Sequence, residues 1–321
     1  MRYVVFGAGA IGGTIGGRLF QQDHELVLIA RGAHGERLRS DGLTLSDPDE
    51  TVTLAIPTVS RPSDVRWKSD DVAVLAMKTQ DTAAALQDLA ACAPPTVTIV
   101  CAQNGLENER LALRAFAQVH GMCVMLPAAH ISPGEVEAYG RPLTGLLDVG
   151  AYPSGRGRIT ERIAEDLDAA GFSSHAVDDV MRLKRGKLLL NLANTIQAMT
   201  GMDDPRAGEL YKQARSEARA CFEAAGLEYA GSEEDRQRRG DLMRVQPIEG
   251  KDRGGGSTWQ SLARGGPVEA DYLNGEIVLL GRLHGVPTPV NELLQRAANA
   301  AARDGRAPES VPIEELLSEA N

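Results

Sequence analysis

The chain has 321 residues, 43% of them hydrophobic, which is enough for two domains with substantial cores. Its formal net charge of −10 argues against a nucleic-acid or anionic-membrane surface, because both need clustered cations. No apolar stretch reaches membrane-spanning length, and the four cysteines lack metal or CxxC spacing. We therefore expect a reduced, cytoplasmic protein without a signal peptide, a metal site, a membrane span or a nucleic-acid partner.

A strand–helix–strand unit opens the chain. Residues 3–6 are typical of a short buried strand, residues 11–20 of a helix and residues 26–29 of a second strand. The turn between the first strand and the helix is a GxGxxG pattern, formed by Gly7, Ala8, Gly9, Ala10, Ile11 and Gly12. Such glycines allow a tight turn, close approach of a pyrophosphate and close helix packing. The pattern predicts a dinucleotide site, with a merely close-packed turn as the alternative.

The end of the second strand bears on which dinucleotide binds. NAD sites usually carry an acidic residue there for the ribose 2′-hydroxyl, whereas NADP sites use a cation for the 2′-phosphate. This chain has Ile29-Ala30-Arg31-Gly32, with no acid and an arginine within reach. We therefore predict NADP(H) and assign Arg31 to the 2′-phosphate; an ordinary surface arginine is the alternative.

Further strands alternate with helices up to about residue 177. Two alternating runs at 42–45 and 51–56 predict a hairpin, and residues 72–77 and 97–102 are typical of strands buried on both faces. A helix is predicted at 81–93, added strands within 121–150, a helix at 159–170 and a last strand at 172–177. Lys78 and Asn104 follow the two buried strands, where ligands gather in a parallel sheet; loop residues without function are the alternative.

From Asp178 onward the pattern is helical, with helices predicted at 179–200, 205–226, 232–246, 258–264, 268–284 and 289–303. The predicted fold class is α/β, with an N-terminal Rossmann-type doubly wound sheet and a C-terminal all-α domain. We place the NADP-binding domain at 1–178 and the helical substrate and catalytic domain at 179–321.

A polar stripe marks the first of these helices. Lys187, Asn191 and Asn194 are spaced i, i+4, i+7, with Thr195 beside them, on a helix otherwise rich in leucine. Polar groups on such a helix cost free energy unless they are paired or face a cleft. The pattern favours a substrate cleft with a lysine as proton donor, and a solvated helix face is the alternative.

A second candidate group is Ser257 with Glu269. A glycine-rich loop at 251–258, which we expect to be mobile, leads into the helix that begins near Thr258. We predict that Glu269 lies in the first turn of a helix opened by Pro267, where the helix dipole favours a carboxylate with or without a function.

Together these motifs resemble the ketopantoate reductase (2-dehydropantoate 2-reductase) family. The resemblance covers almost the whole chain and is carried by GAGAIG at 7–12, LAMK at 75–78, QNG at 103–105, KLLLN at 187–191 and VEADYLNG at 268–275. It implies an NADPH-binding α/β domain, a helical C-terminal domain and an active site in the cleft between them.

The resemblance also implies residue roles and a reaction. Lys187 matches the catalytic lysine and Glu269 the active-site glutamate, which would orient Lys187 or accept from the product hydroxyl. The implied reaction transfers a hydride from NADPH to the ketone carbon of a 2-oxo acid, ketopantoate giving pantoate for pantothenate and coenzyme A biosynthesis. Lys187 would polarise the ketone and protonate the nascent alkoxide.

The remaining site positions are also matched by residues of this chain. Substrate-contacting positions correspond to Asn104, Asn191 and Ser257, with Asn104 also beside the cofactor. Lys78 matches a position that lines the cleft, and Arg31 one that holds the 2′-phosphate. The oligomeric state stays open, with a homodimer as one alternative.

Three departures from the family pattern concern the substrate. Thr195, which we include among the substrate-binding residues, stands where the family usually has a second asparagine. Gly254 replaces a substrate-binding asparagine of some members, and Pro127 lies where a threonine-rich strand is common. These departures motivate the alternative of a paralogue that reduces another 2-oxo acid or related carbonyl. An NADPH-binding regulator without turnover is a separate alternative, which the absence of Lys187 or Glu269 would favour, and both are present.

Overall fold

The computed structural model describes residues 1–318, so the last three residues of the predicted second domain lie outside the described part. The chain forms two compact units. The first contains Met1–Met181 and Glu233–Arg253, and the second contains Arg182–Ser232 and the described residues from Gly254 onward. The domain boundary placed at residue 178 stays a prediction.

The first unit is built on a seven-stranded sheet with the order β12-β8-β7-β6-β1-β2-β5. Only the β12–β8 pair is antiparallel. Its strands are β1 (Tyr3–Phe6), β2 (Leu26–Ile29), β5 (Thr58–Val59), β6 (Val72–Leu75), β7 (Thr98–Cys101), β8 (Val119–Met125) and β12 (Leu146–Ala151).

The central strands are buried on both faces because helices cover both. The α-helices within the first 170 residues of this unit are α1 (Ala10–Gln21), α2 (Gly32–Ser40), α3 (Thr82–Ala90), α4 (Asn108–Leu113) and α5 (Arg158–Ala169). Val5 packs with Ile15 of α1 and Ile163 of α5, whereas Val4 packs on the opposite face with Leu86 of α3. Alternate side chains of β1 therefore serve two cores, and the predicted α/β doubly wound Rossmann-type fold is confirmed.

A smaller four-stranded sheet, ordered β4-β3-β10-β9, extends this unit. It contains β3 (Leu43–Ser46), β4 (Thr51–Leu54), β9 (Ala128–Ala129) and β10 (Glu135–Ala138). The antiparallel β3–β4 pair confirms the predicted hairpin. Residues 172–177, predicted as a strand, make only isolated bridges to β12.

Residues 233–253 return to the first unit after the chain has entered the second. Helix α9 (Ser232–Arg239) is followed by β13 (Met243–Val245), which pairs antiparallel with β11 (Gly140–Pro142). The buried carboxylate of Asp148 accepts from Arg238. The predicted helix 232–246 is therefore wrong beyond Arg239, because this segment pairs with a strand that is distant in sequence.

The second unit is helical throughout its described residues. Its α-helices are α6 (Val180–Asn191, which begins in the first unit), α7 (Ala193–Thr200), α8 (Pro205–Ala224), α10 (Ser257–Ala263), α11 (Asn274–His284), α12 (Pro289–Arg303) and α13 (Ile313–Ser318). The predicted helix 179–200 is two helices that meet at Leu192. The predicted helix 268–284 is a 3₁₀ turn (Ala270–Tyr272) followed by α11.

Candidate active site

The glycine-rich turn follows β1 directly, as predicted. Gly7 has a φ of +96°, and a Cβ there would lie 2.7 Å from the backbone nitrogen of Met77. A Cβ on Gly12 would collide with the carbonyl oxygen of Gly7, because α1 lies directly on the turn. Packing inside the protein therefore requires glycine at both positions.

Gly9 differs from its two neighbours in the motif. It precedes α1 as the N-cap residue with an extended backbone, which other residues also adopt. A Cβ on Gly9 would have one atom within 4 Å, Cδ2 of His130 at 3.8 Å. Neither backbone strain nor internal packing therefore accounts for glycine here. Ala8 is buried, while Ala10 and Ile11 form the first turn of α1.

Arg31 lies just after β2 and precedes α2 as its N-cap residue. Its side chain is exposed and makes no ion pair within residues 1–318. Arg37, on the same helix, is instead paired with Asp41 at 2.7 Å.

Lys78 and Asn104 follow β6 and β7, two adjacent parallel strands, and both are half-buried. A buried polar network that sequence reasoning missed ties these strand ends together. Gln103 donates to the carbonyl of Met77 at 2.9 Å and to the hydroxyl of Thr82 at 2.7 Å. The network fixes the two loops at the carboxyl edge of the sheet, beside the glycine turn.

In the second unit, Lys187 and Asn191 form a direct contact on α6. The ammonium of Lys187 donates to Oδ1 of Asn191 at 2.7 Å, across one helical turn. Asn191 is 3% exposed, whereas Lys187 is half-buried. The contact orients the lysine, as the predicted i, i+4 spacing requires.

Asn194 and Ser257 lie together as well, although they come from different helices. Nδ2 of Asn194 donates to Oγ of Ser257 at 3.3 Å, and Gly256 N–H donates to Oε1 of Gln197 at 2.9 Å. Glycines 254 and 255 lie against the indole of Trp259, where any Cβ would collide with the ring. These contacts position Gly254, Gly255 and Gly256, and the mobility expected of the 251–258 loop stays a prediction.

Thr195 is fully buried, with 0% exposure. Its hydroxyl donates to Oδ1 of Asn274 at 2.8 Å, and Asn274 in turn donates to Asn291 at 3.0 Å. The side chain therefore belongs to a buried network between α7, α11 and α12, and its predicted substrate contact stays a prediction.

Glu269 is half-buried and precedes the 3₁₀ turn 270–272 as its N-cap residue. The prediction that Glu269 lies inside a helix starting at Pro267 is wrong, because Leu273 has a non-helical backbone conformation and α11 begins only after it. Among residues 1–318 no group of His, Cys, Asp or Glu is arranged to hold a metal ion, and no helix is long and apolar enough to cross a membrane.

Comparison with known proteins identifies the family. Residues 3–154 match "Ketopantoate reductase PanE/ApbA", and residues 179–302 match its C-terminal domain. The chain belongs to the ketopantoate reductase family. A 2-dehydropantoate 2-reductase of Pyrococcus horikoshii is 26% identical over 301 residues, covering 92% of this chain and 95% of that protein.

Solved structures share the fold over nearly the full length. A PanE/ApbA-family ketopantoate reductase from Ralstonia eutropha has a TM-score of 0.80 at 26% identity, covering 95% of this chain and 100% of its own. D-mandelate dehydrogenase, solved with NADH and anilino(oxo)acetate, has a TM-score of 0.83 at 21% identity, covering 96% and 100%. Proteins of this fold thus include a ketopantoate reductase and a D-mandelate dehydrogenase.

Proposed function

We propose that this protein catalyses the NADPH-dependent reduction of a 2-oxo acid to a 2-hydroxy acid, with ketopantoate as the first candidate substrate. Family membership supports an oxidoreductase acting on a CH–OH group. The relatives named 2-dehydropantoate 2-reductase support ketopantoate in particular.

The open face of Gly9 is the observation that carries the cofactor proposal. Gly7 and Gly12 are needed by the fold itself, but a Cβ on Gly9 meets only His130 at ordinary contact distance. A glycine that the protein does not need for its own packing is explained by a ligand that approaches the backbone. The adjoining N-terminus of α1 suits the negative charge of a pyrophosphate.

The residues present fit a nicotinamide dinucleotide. Residues 7–12 would hold the pyrophosphate, and Lys78 and Asn104 would line the cofactor site at the neighbouring strand ends. Arg31 would hold a 2′-phosphate, which makes NADPH our proposal and NADH the alternative. When bound, the reduced nicotinamide supplies the hydride that adds to the ketone carbon.

Lys187 is the proposed proton donor. Its ammonium would polarise the ketone and pass one proton to the oxygen as the carbon accepts the hydride, so that a 2-hydroxy acid results. The contact with Asn191 orients the ammonium group at 2.7 Å. Glu269 would orient Lys187 or accept a hydrogen bond from the product hydroxyl.

Ser257 and Asn191 are the proposed substrate-binding residues, and the side-chain amide of Asn104 is the third. The contact between Ser257 and Asn194 adds Asn194 to this group. The buried, already bonded hydroxyl of Thr195 favours the paralogue alternative, because one polar group that could read a distal substrate hydroxyl is engaged elsewhere.

The first test is consumption of NADPH and NADH with a panel of 2-oxo acids. If ketopantoate is the substrate, its kcat/KM should exceed that of analogues lacking the terminal hydroxyl, because a site built to bind a hydroxyl discriminates strongly. Equal or better turnover of those analogues would establish the paralogue. A lack of turnover with all of them, despite cofactor binding, would favour the regulator.

Lys187→Ala tests the mechanism within the active enzyme. Loss of the proton donor should lower kcat by roughly 10²–10⁴ while the affinity for NADPH stays nearly unchanged. Lys187→Arg is the matched control, because it keeps the charge but hardly releases a proton. Wild-type kcat in a folded Lys187→Arg variant would show that this residue does not donate the proton.

The homodimer also stays a prediction, to be checked by the mass of the protein in solution.

A further inference from the structure

Two imidazole rings pack against each other beside the glycine turn. His34 comes from the first turn of α2, and His130 follows β9. Their ring centroids are 4.1 Å apart with the planes inclined by 50°, and both side chains are half-buried. The glycine motif predicts neither histidine, because both are distant from it in sequence.

His34 joins the glycine turn to the loop before β10. Its Nε2 lies 2.7 Å from the carbonyl oxygen of Ala8, and its Nδ1 lies 2.9 Å from the backbone nitrogen of Gly134. A carbonyl can only accept and a backbone N–H can only donate, so Nε2 carries the ring proton and Nδ1 accepts. One neutral tautomer therefore satisfies both contacts.

The contact with Ala8 fixes a peptide plane inside the turn. In a trans peptide the C=O of Ala8 and the N–H of Gly9 point in opposite directions. By holding the oxygen, His34 sets the direction of the Gly9 N–H, one of the backbone donors available to a pyrophosphate in such a turn.

His130 lies over the same glycine. Its Nδ1 is 2.9 Å from the carbonyl oxygen of Glu135, so this nitrogen donates and the ring is anchored. Its Cδ2 is the single atom within 4 Å of a Cβ placed on Gly9, at 3.8 Å. A ligand that approaches the backbone of Gly9 therefore meets the Cδ2 edge of His130.

We propose that His34 and His130 form one wall of the pyrophosphate subsite. His34 is a positioning residue that orients the Ala8–Gly9 peptide, and His130 contacts the pyrophosphate through its Cδ2 edge. The inference rests on the proposed dinucleotide function and adds two residues to it.

Paired amide variants of His34 separate its two hydrogen bonds. In His34→Gln the side-chain amide reaches about as far as Nε2 and can still donate to Ala8, whereas in His34→Asn it reaches only as far as Nδ1. Affinities are measured by calorimetry for NADP⁺ and for 2′-AMP, which lacks the pyrophosphate (NAD⁺ and AMP if the wild type prefers NAD⁺). We expect His34→Asn to weaken NADP⁺ by about fivefold to tenfold and His34→Gln to change it little, with 2′-AMP unaffected in both.

In His130→Phe an aromatic ring can still pack against the ring of His34, but the ring edge that faces Gly9 is changed. We therefore expect weaker NADP⁺ binding and unchanged 2′-AMP binding. Equal NADP⁺ affinity in the wild type and all three variants would overturn the inference but not the proposed function. Parallel loss of 2′-AMP binding would also overturn it, because the damage would then be general. If the folded wild type binds neither dinucleotide, the proposed function fails and the inference fails with it.

Discussion

The three glycines of the GxGxxG motif differ in the physical constraints that act on them. Gly7 needs a positive φ, and Gly12 lies against the carbonyl of Gly7. Gly9 meets neither constraint, and its Cβ would have ordinary contact with one side chain. Backbone conformation therefore requires glycine at Gly7 and packing requires it at Gly12, whereas at Gly9 we propose that glycine leaves room for a ligand.

Gly9→Ala should therefore separate binding from folding. The fold tolerates the added methyl group, so the melting temperature should stay within a few degrees, whereas NADPH should bind at least tenfold more weakly because the methyl group occupies its approach. Thermal unfolding and fluorescence titration measure the two effects. Gly12→Ala is the contrasting variant and should unfold the first unit. Wild-type affinity in Gly9→Ala would refute the proposed site.

Arg31→Ala tests cofactor choice. Charge-assisted hydrogen bonds to a 2′-phosphate are strong, so NADPH affinity should fall by about tenfold to a hundredfold while NADH affinity changes little. Arg37→Ala is the control, because it removes a cation from the same helix that is already paired with Asp41. A comparable loss for both cofactors would mean that Arg31 does not recognise that phosphate.

A buried polar network joins four helices of the second unit. Thr195 of α7 donates to Asn274 of α11, which donates to Asn291 of α12. Asn291 donates to the carboxylate of Glu217 in α8 at 2.7 Å. A network whose members are each paired specifies how these helices pack.

Thr195→Val should reveal whether this residue is structural. The change keeps the side-chain shape but leaves Oδ1 of Asn274 without its donor, so the free energy of unfolding should fall by about 1–3 kcal/mol. Thr195→Ser keeps the hydroxyl and serves as the control. We expect KM for the 2-oxo acid to change little. Unchanged stability with a large rise in KM would instead establish the predicted substrate contact.

The sequence predicted most elements because their patterns are local. The i, i+4 spacing of Lys187 and Asn191 gave their contact, and alternating runs gave the β3–β4 hairpin. The break at Leu192 was missed because the leucines before it and Ala193 after it favour a continuous helix. The contact of His34 with Ala8 and that of Thr195 with Asn274 join residues 26 and 79 positions apart. Such contacts depend on tertiary packing, which periodicity does not reveal.

One buried histidine should make the stability of the protein depend on pH. His120 of β8 is 4% exposed and contacts the hydroxyl of Thr160 at 3.0 Å. Burial lowers the pKa of His120 to about 4, from an ordinary value of 6.5. Between these two pH values His120 binds a proton in the unfolded chain but not in the native protein. The free energy of unfolding therefore decreases as the pH falls from about 6.5 towards 4.

His120 should lower the free energy of unfolding by about 3 kcal/mol as the pH falls from about 6.5 to about 4. His120→Gln should lose part of the acid sensitivity, measured by denaturant unfolding at pH 7.5, 5.5 and 4.5. His284→Gln, at an exposed position on α11, provides the comparison. Identical pH dependence in the wild type and His120→Gln would show that other groups govern acid unfolding.

The return of residues 233–253 to the first unit limits how such a protein can be recombined. The chain crosses between the units after residues 181, 232 and 253. A fragment that stops at the first crossing lacks β13, the partner of β11, and lacks Arg238, the cation beside the buried Asp148. Removing one member of a buried ion pair typically costs about 3–5 kcal/mol. Exchange of whole units between relatives would therefore need three matched junctions, and a chimera with a single crossover would combine a sheet from one parent with a stabilising segment from the other.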